Sequence, residues 1–213
     1  MREELYNWKY QNVAESLKKT LEKKAFDVYI ATNQDELIGL VKSLIPEGAT
    51  VTSGGSLSVS ESGVLDVLKS GEYKFLDRTS ASSVEERKSI ELAAFTCDFY
   101  LCSANAITED GKLVFLDGNG NRAAAVIYGP KNVLLIASVN KVVKDLDEAR
   151  ERMRYISPMN SKRLNLKTPC TVTGMCHDCA SEQRICNYFV VVESSFRQPK
   201  RIKVILTTFE LGL

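Results

Sequence analysis

The run Val133-Leu134-Leu135-Ile136-Ala137 decides the fold. Five apolar residues in succession lack the polar alternation of a half-exposed strand. They predict a central parallel strand covered on both faces. The run is far too short to cross a bilayer. Gly129-Pro130-Lys131 leads into it and Asn140-Lys141 follows it. Asn140 and Lys141 therefore stand at the carboxyl end of a strand, where open α/β sheets collect their ligands.

Helical and extended patterns alternate outward from this run. Toward the N-terminus, Tyr10, Val13, Ala14, Leu17 and Leu21 recur at helical spacing. Residues 28–31 form a short apolar strand. Asn33 and Glu36 make a capping box for a helix with Leu37, Leu40, Val41 and Leu44 on one face. Residues 50–53 and 73–76 are further strands, with Val64, Leu65 and Leu68 suggesting a helix between them. Ser82 with Glu85 starts another helix, with Ile90, Ala93 and Ala94 on its buried side. Residues 98–102 and 113–116 are strand-like. The piece 104–107 and the turn Thr108-Glu109-Asp110-Gly111 predict a hairpin on the flank of the main sheet. Residues 122–126 suggest a short helix.

Beyond the central run, Val142, Leu146, Ala149 and Met153 form a helical stripe that breaks near Pro158. Two β-rich runs, 189–192 and 202–207, close the chain. Alternation with short spacers implies one layered α/β domain over residues 1–213, interrupted late by a cysteine-rich segment at 170–186.

Composition narrows the function classes. The chain has 28 Lys plus Arg against 27 Asp plus Glu, which gives no support to nucleic-acid binding as the main task. An anionic small ligand needs only one or two local cations and stays open. The first eleven residues carry Glu3, Glu4 and Lys9 and no apolar stretch before a small-residue cleavage site. No membrane association is expected, and the default location is the cytoplasm. Reducing conditions there favour thiolate ligands over disulfides, although two disulfides among the clustered cysteines remain an alternative.

Two polar loops are candidate ligand sites. Ser53-Gly54-Gly55-Ser56 follows a strand and opens toward a helix. Its glycines permit close backbone approach, and its hydroxyls with helical N–H groups suit a carboxylate or phosphate. Glycine turn plus serine caps is the simpler reading of the same residues. Glu61, just beyond, is either a general base or an ordinary first-turn carboxylate. The second loop is Asp117-Gly118-Asn119-Gly120-Asn121-Arg122. Gly118 and Gly120 allow a tight turn, Asn121 and Arg122 offer donors, and Arg122 suits a two-pronged contact with an anion. Asp117 is a second candidate base, or a structural residue of a hairpin. Neither loop carries a Walker or a full dinucleotide-binding motif, so the organic cofactor is unknown.

Four of the six cysteines fall within 17 residues, as Cys170-x5-Cys176-x2-Cys179-x6-Cys186. Thiolates at such spacing bind zinc or iron, and the Cys176/Cys179 pair is a short chelating loop. The pattern differs from the usual run of a bacterial [4Fe–4S] protein, so zinc and [4Fe–4S] both remain open, as does dithiol redox chemistry. His177, the only histidine, adjoins Cys176 and is an awkward fourth ligand. Cys97 and Cys102, five apart on one predicted strand, are expected to pack in the core on opposite faces.

Taken together, Gly54-Gly55-Ser56, the stretch 105–111, Leu116-Asp117-Gly118-Asn119-Gly120-Asn121-Arg122, Gly129-Pro130-Lys131 and Asn140-Lys141 resemble the LUD domain family of lactate-utilisation proteins. Lys167-Thr168-Pro169-Cys170, Thr173-Gly174 and Arg184-Ile185-Cys186-Asn187 are similar to a cysteine-containing subgroup. The resemblance implies a Rossmann-like layered sheet of the NagB/RpiA/CoA-transferase-like class with a small flanking β element. It also implies a link to the oxidation of L-lactate to pyruvate, beside iron–sulfur or oxidoreductase subunits. The first expectation is an accessory component binding a small organic acid, with Ser53 to Ser56, Arg122 and Lys141 at the anion. The alternatives are an isomerase or transferase of a sugar phosphate or CoA ester, and a metal-stabilised structural or interaction protein. A homo-oligomer is compatible with each.

Overall fold

The structure is a computed structural model describing residues 1–213. Its strands in chain order are β1 (Asp27–Ala31), β2 (Thr50–Ser53), β3 (Lys74–Leu76), β4 (Phe99–Cys102), β5 (Ala106–Thr108), β6 (Leu113–Asp117), β7 (Asn132–Ser138), β8 (Val142–Val143), β9 (Tyr188–Val192) and β10 (Ile202–Thr207). The helices are α1 (Arg2–Glu22), α2 (Gln34–Leu44), α3 (Leu57–Glu61), α4 (Val64–Leu68), α5 (Val84–Ala93), α6 (Asn121–Tyr128), α7 (Leu146–Arg163) and α8 (Cys170–Thr173). None is long and apolar enough to cross a membrane.

Six strands form one parallel sheet in the order β1-β10-β7-β4-β2-β3. The apolar run lies in β7, between β10 and β4, as its composition requires. Side chains alternate along a strand. Val133, Leu135 and Ala137 accordingly enter one core, while Leu134 and Ile136 enter the core on the opposite face. Strand β10 does the same with Val204 and Leu206 against Ile205. The first face is covered by Ala14, Leu17 and Leu21 of α1 and by Ala123, Ala125 and Val126 of α6. The second is covered by Leu37 and Val41 of α2 and by Val64 and Leu68 of α4. Burying each of these larger aliphatic side chains is worth ~2 kcal/mol, which is why two-sided apolar runs end up inside.

A second sheet, β8-β5-β6-β9, flanks the first. The expected hairpin is there, with Ala106 opposite Val114 and Ile107 opposite Leu113. Strand β9 pairs antiparallel with β6 from Leu113–Val192 to Asp117–Tyr188. Helix α7 lays Ala149, Met153 and Ile156 on this sheet. A layered parallel sheet with a small flanking β element is the architecture the family resemblance implies.

Several local expectations shift. Asn33 caps α2 by accepting from Glu36 N, but the Glu36 carboxylate reaches Thr32 rather than Asn33. The cap of α5 is one residue later than expected, with Ser83 accepting from Glu86 N. Of its anticipated buried side only Ala94 is buried; Ile90 and Ala93 are partly exposed. Val142 belongs to β8 rather than to the α7 stripe, and α7 continues through Pro158 to Arg163. Pro158 is buried within the helix, which runs on past the backbone bond that it cannot make. Cys97 precedes β4 instead of lying in it, so Cys97 and Cys102 share one core rather than facing apart.

Candidate functional site

The carboxyl ends of the parallel strands open onto a cavity of about 180 Å³. After β2 the chain supplies Gly55, Ser56 and Ser58; after β4 it supplies Ser103 and Asn105; after β7 it supplies Lys141. Gly54 starts the first of these turns. A Cβ there would lie 2.8 Å from the Tyr100 hydroxyl, so only glycine lets the loop pass this close to the sheet.

Lys141 closes a short 3-10 turn at the end of β7 and is 4 % exposed. Its Nζ donates to Ser58 Oγ at 2.7 Å and to Ser103 Oγ at 3.4 Å. No carboxylate stands within ion-pair distance, in contrast with Lys69 and Asp77 at 2.9 Å. Burial, then the neighbouring Arg152 and Arg122 guanidinium groups, push its pKa down to about 7; Glu61 opposes them weakly.

Arg122 and Asp117 form the other fixed point. Arg122 donates through Nε and Nη2 to Asp117 Oδ1, through Nη1 to Ser103 O, and through Nη2 to Asn105 Oδ1 at 2.6 Å. Asp117 Oδ2 accepts from Ala123 N at 2.7 Å, which fills the amino end of α6. Gly120, at φ +76°, makes the turn into that helix. This clamp holds the loops after β4 and β6 together. It leaves Arg122 with little donor capacity for a ligand and Asp117 with both oxygens occupied.

The expected residues divide. Gly55, Ser56, Asp117, Gly118, Asn121, Arg122 and Lys141 line this cavity. Ser53 faces a separate small recess with Arg78 and Tyr100. Asn140 points to the opposite side of its turn, into a groove with Tyr10, Val13 and Val142. Gly120 packs beneath Tyr188, with 3.4 Å to the position of a Cβ. Glu61 accepts from Gly212 N at 2.6 Å. Ser56 Oγ is spent capping α3, a helix of only five residues.

Among the lining residues outside the expected set are Ser103, Arg78 and Arg163, and Ser58 joins them from the serine-rich segment that follows β2. Arg78 follows β3 and pairs with Glu91 at 3.5 Å. Arg163, at the end of α7, reaches Gly55 O at 3.3 Å. The cavity thus gathers the cationic side chains of Arg78, Arg122, Lys141 and Arg163 against one acidic side chain, Asp117, with Leu213 also on its wall. Arg78 and Arg163 sit at element ends without motif spacing, so only the fold joins them to Lys141.

A second cavity, of about 280 Å³, lies between α7 and the segment after it. Cys170, Cys176, Cys179 and Cys186 all line it, with His177, Arg154, Arg184 and Phe189. The thiols are free of disulfides. No three of the cysteine, histidine and carboxylate side chains converge closely enough to hold one metal ion. His177 Nε2 lies 2.7 Å from Thr173 Oγ1. Hydrogen bonds from Ser181 pull the Cys179 thiol down, whereas burial pushes the Cys186 thiol up. Leu116, Ser157 and Ile185 border both cavities.

Fold and pocket together define a layered α/β protein with a cationic crevice at its strand ends. The LUD domain model matches residues 14–207, and the chain belongs to the LUD domain family. A DUF162 family protein from Deinococcus radiodurans has a similar fold, with a TM-score of 0.54 at 13 % identity, over 93 % of this chain and 98 % of that one. The beta subunit of eIF2B from Chaetomium thermophilum is more distant, with a TM-score of 0.38 at 15 % identity over 54 % of this chain and 41 % of that one. The delta subunit from the same organism gives 0.41 at 13 % identity over 84 % and 57 %. No curated protein matches the sequence.

Proposed function

We propose that the chain binds a small organic acid, of the 2-hydroxy or 2-oxo carboxylate class, as an accessory component of lactate utilisation. One observation carries this reading. Lys141 is a buried amine with hydroxyl partners but no carboxylate, in a cavity that also holds Arg78, Arg122 and Arg163. A buried ammonium without a counter-ion is costly, and an incoming carboxylate removes that cost. Ser58 and Ser103 orient the amine and stand beside it for the ligand's hydroxyl or carbonyl oxygen. The cavity of about 180 Å³ suits a ligand of a few heavy atoms. Family membership supplies the link to lactate, and partner iron–sulfur or oxidoreductase subunits belong to the same proposal.

Calorimetric titration with lactate, pyruvate and inorganic phosphate at pH 6 and pH 8 tests it. The carboxylates are expected to bind more tightly at pH 6, and Lys141→Met to weaken them by at least about tenfold, the loss of one charge-assisted bond. Carboxylate binding that is absent, or unchanged in Lys141→Met, overturns the proposal.

A further inference from the structure

We propose that the cavity beside α7 holds a [4Fe–4S] cluster ligated by Cys170, Cys176, Cys179 and Cys186. Its size is the first argument. A water-sized occupant needs roughly 15 Å³, and this chamber of about 280 Å³ is more than ten times larger. Ligand spread is the second. A tetrahedral zinc site holds its sulfurs ~2.3 Å from one point and hence ~3.8 Å from one another. Here all four cysteines border one chamber, yet no three potential ligands converge on a point. A cubane draws on cysteines set around a chamber, because each thiolate binds a different iron at the periphery of the core.

Charge and hydrogen-bond donors agree. A cluster with four thiolate ligands is negative, and Arg150, Arg154 and Arg184 line the chamber against Asp178. Arg184 holds the loop in place by donating to Cys179 O and, at 3.0 Å, to Cys186 O. Its Nε is buried and has no acceptor within the protein. A cluster or cysteinyl sulfur would satisfy that N–H, and such bonds tune cluster potential. Thr168 Oγ1 already lies 3.1 Å from Cys170 Sγ. The local chain serves the same end, since α8 stops at Gly174, φ +76°, and turns back to bring Cys176 and Cys179 round to Cys170.

The cluster would share the wall of Leu116, Ser157 and Ile185 with the anion cavity. Its assignment does not rest on the anion reading, because iron and sulfide content is measured without any organic ligand.

The test is anaerobic purification, reconstitution with equal amounts of ferrous and ferric iron and with sulfide, and assay of iron, zinc and acid-labile sulfide, with electron paramagnetic resonance after dithionite reduction. About four irons and four sulfides per chain are expected, with the signal of a reduced cluster. Cys176→Ser and Cys179→Ser, at partly exposed positions, are expected to hold less than about half that amount while keeping the far-ultraviolet circular dichroism of the wild-type apo chain. Cys97→Ala, in the core, is expected to retain it. One zinc per chain without sulfide, or reconstituted protein with neither iron nor sulfide, overturns the proposal. So does full cluster content in both serine variants.

Discussion

At the scale of single residues, charge placement separates Lys141 from Asp117. Lys141 is buried against hydroxyls, and Asp117 is buried against Arg122 and the amino end of α6. Removing one partner of a buried ion pair strands the other, at a cost of about 3 kcal/mol or more. Asp117→Ala is therefore expected to lower stability in urea by about 3 kcal/mol. A change within about 0.5 kcal/mol, typical of an exposed hairpin position, would contradict the clamp. Lys141→Met should do the opposite, because it replaces an uncompensated amine with an apolar chain of similar length. A rise on the order of 2 kcal/mol at pH 7, read from the urea midpoint, is expected. The sequence singled out both residues, yet it could not distinguish their roles. Each role depends on neighbours far along the chain, Ser58 for one and Ser103 with Asn105 around the other's arginine.

Among the elements, β10 matters most. It is the last strand in the chain but lies inside the sheet, hydrogen-bonded to β1 and β7. Ile205 faces one core while Val204 and Leu206 face the other, all fully buried. Ile205→Ala is expected to cost ~3 kcal/mol by urea denaturation, the usual cost of a cavity in a well-packed core. A loss below about 1 kcal/mol would place β10 at a yielding edge. The apolar pattern of 202–207 and 133–137 showed that these were buried strands, because two-sided burial leaves no polar alternation. It did not show which strands are adjacent. The pattern of 189–192 is just as β-rich, but that segment joins the second sheet, where its residues remain partly exposed. Local pattern also placed the α5 cap one residue early, since Ser82 and Ser83 are both competent caps and only the backbone conformation selects between them.

For the whole molecule, pH reads out the polar interior. The folded Lys141 amine titrates near pH 7, while in the unfolded chain it keeps its proton to its ordinary value of 10.5. The unfolded state thus binds more protons above pH 7, and Lys141 makes stability rise with pH from about 7. Buried Cys97 and Cys102 act in the opposite direction. Burial pushes their thiols up to about 11 and about 12, so the unfolded chain ionises first and stability falls above the ordinary thiol value of 9.0. Urea midpoints are expected to climb between about pH 7 and pH 9 and then turn over, and Lys141→Met should flatten the climb. A profile identical in the variant would contradict the assigned burial of the amine. The two cavities give the other molecular-scale expectation. Because Leu116, Ser157 and Ile185 line both, a bound carboxylate is expected to alter the resonance signal of a reduced cluster. An unchanged signal at saturating carboxylate would show that the cavities act separately.

The sequence by itself determined the alternating α/β plan, the buried strand at 133–137, the flanking hairpin, the family and the cysteine quartet. These depend on periodicity, turn chemistry and residue spacing, which are properties of neighbours along the chain. Only the tertiary structure put the final strand inside the sheet, left Lys141 without a carboxylate, occupied Arg122 with Asp117, and brought Arg78 and Arg163 to the same crevice. It also set the four cysteines around a chamber rather than a point. Strand order, burial and counter-ion supply are settled by contacts between distant segments, and no local pattern of residues encodes them.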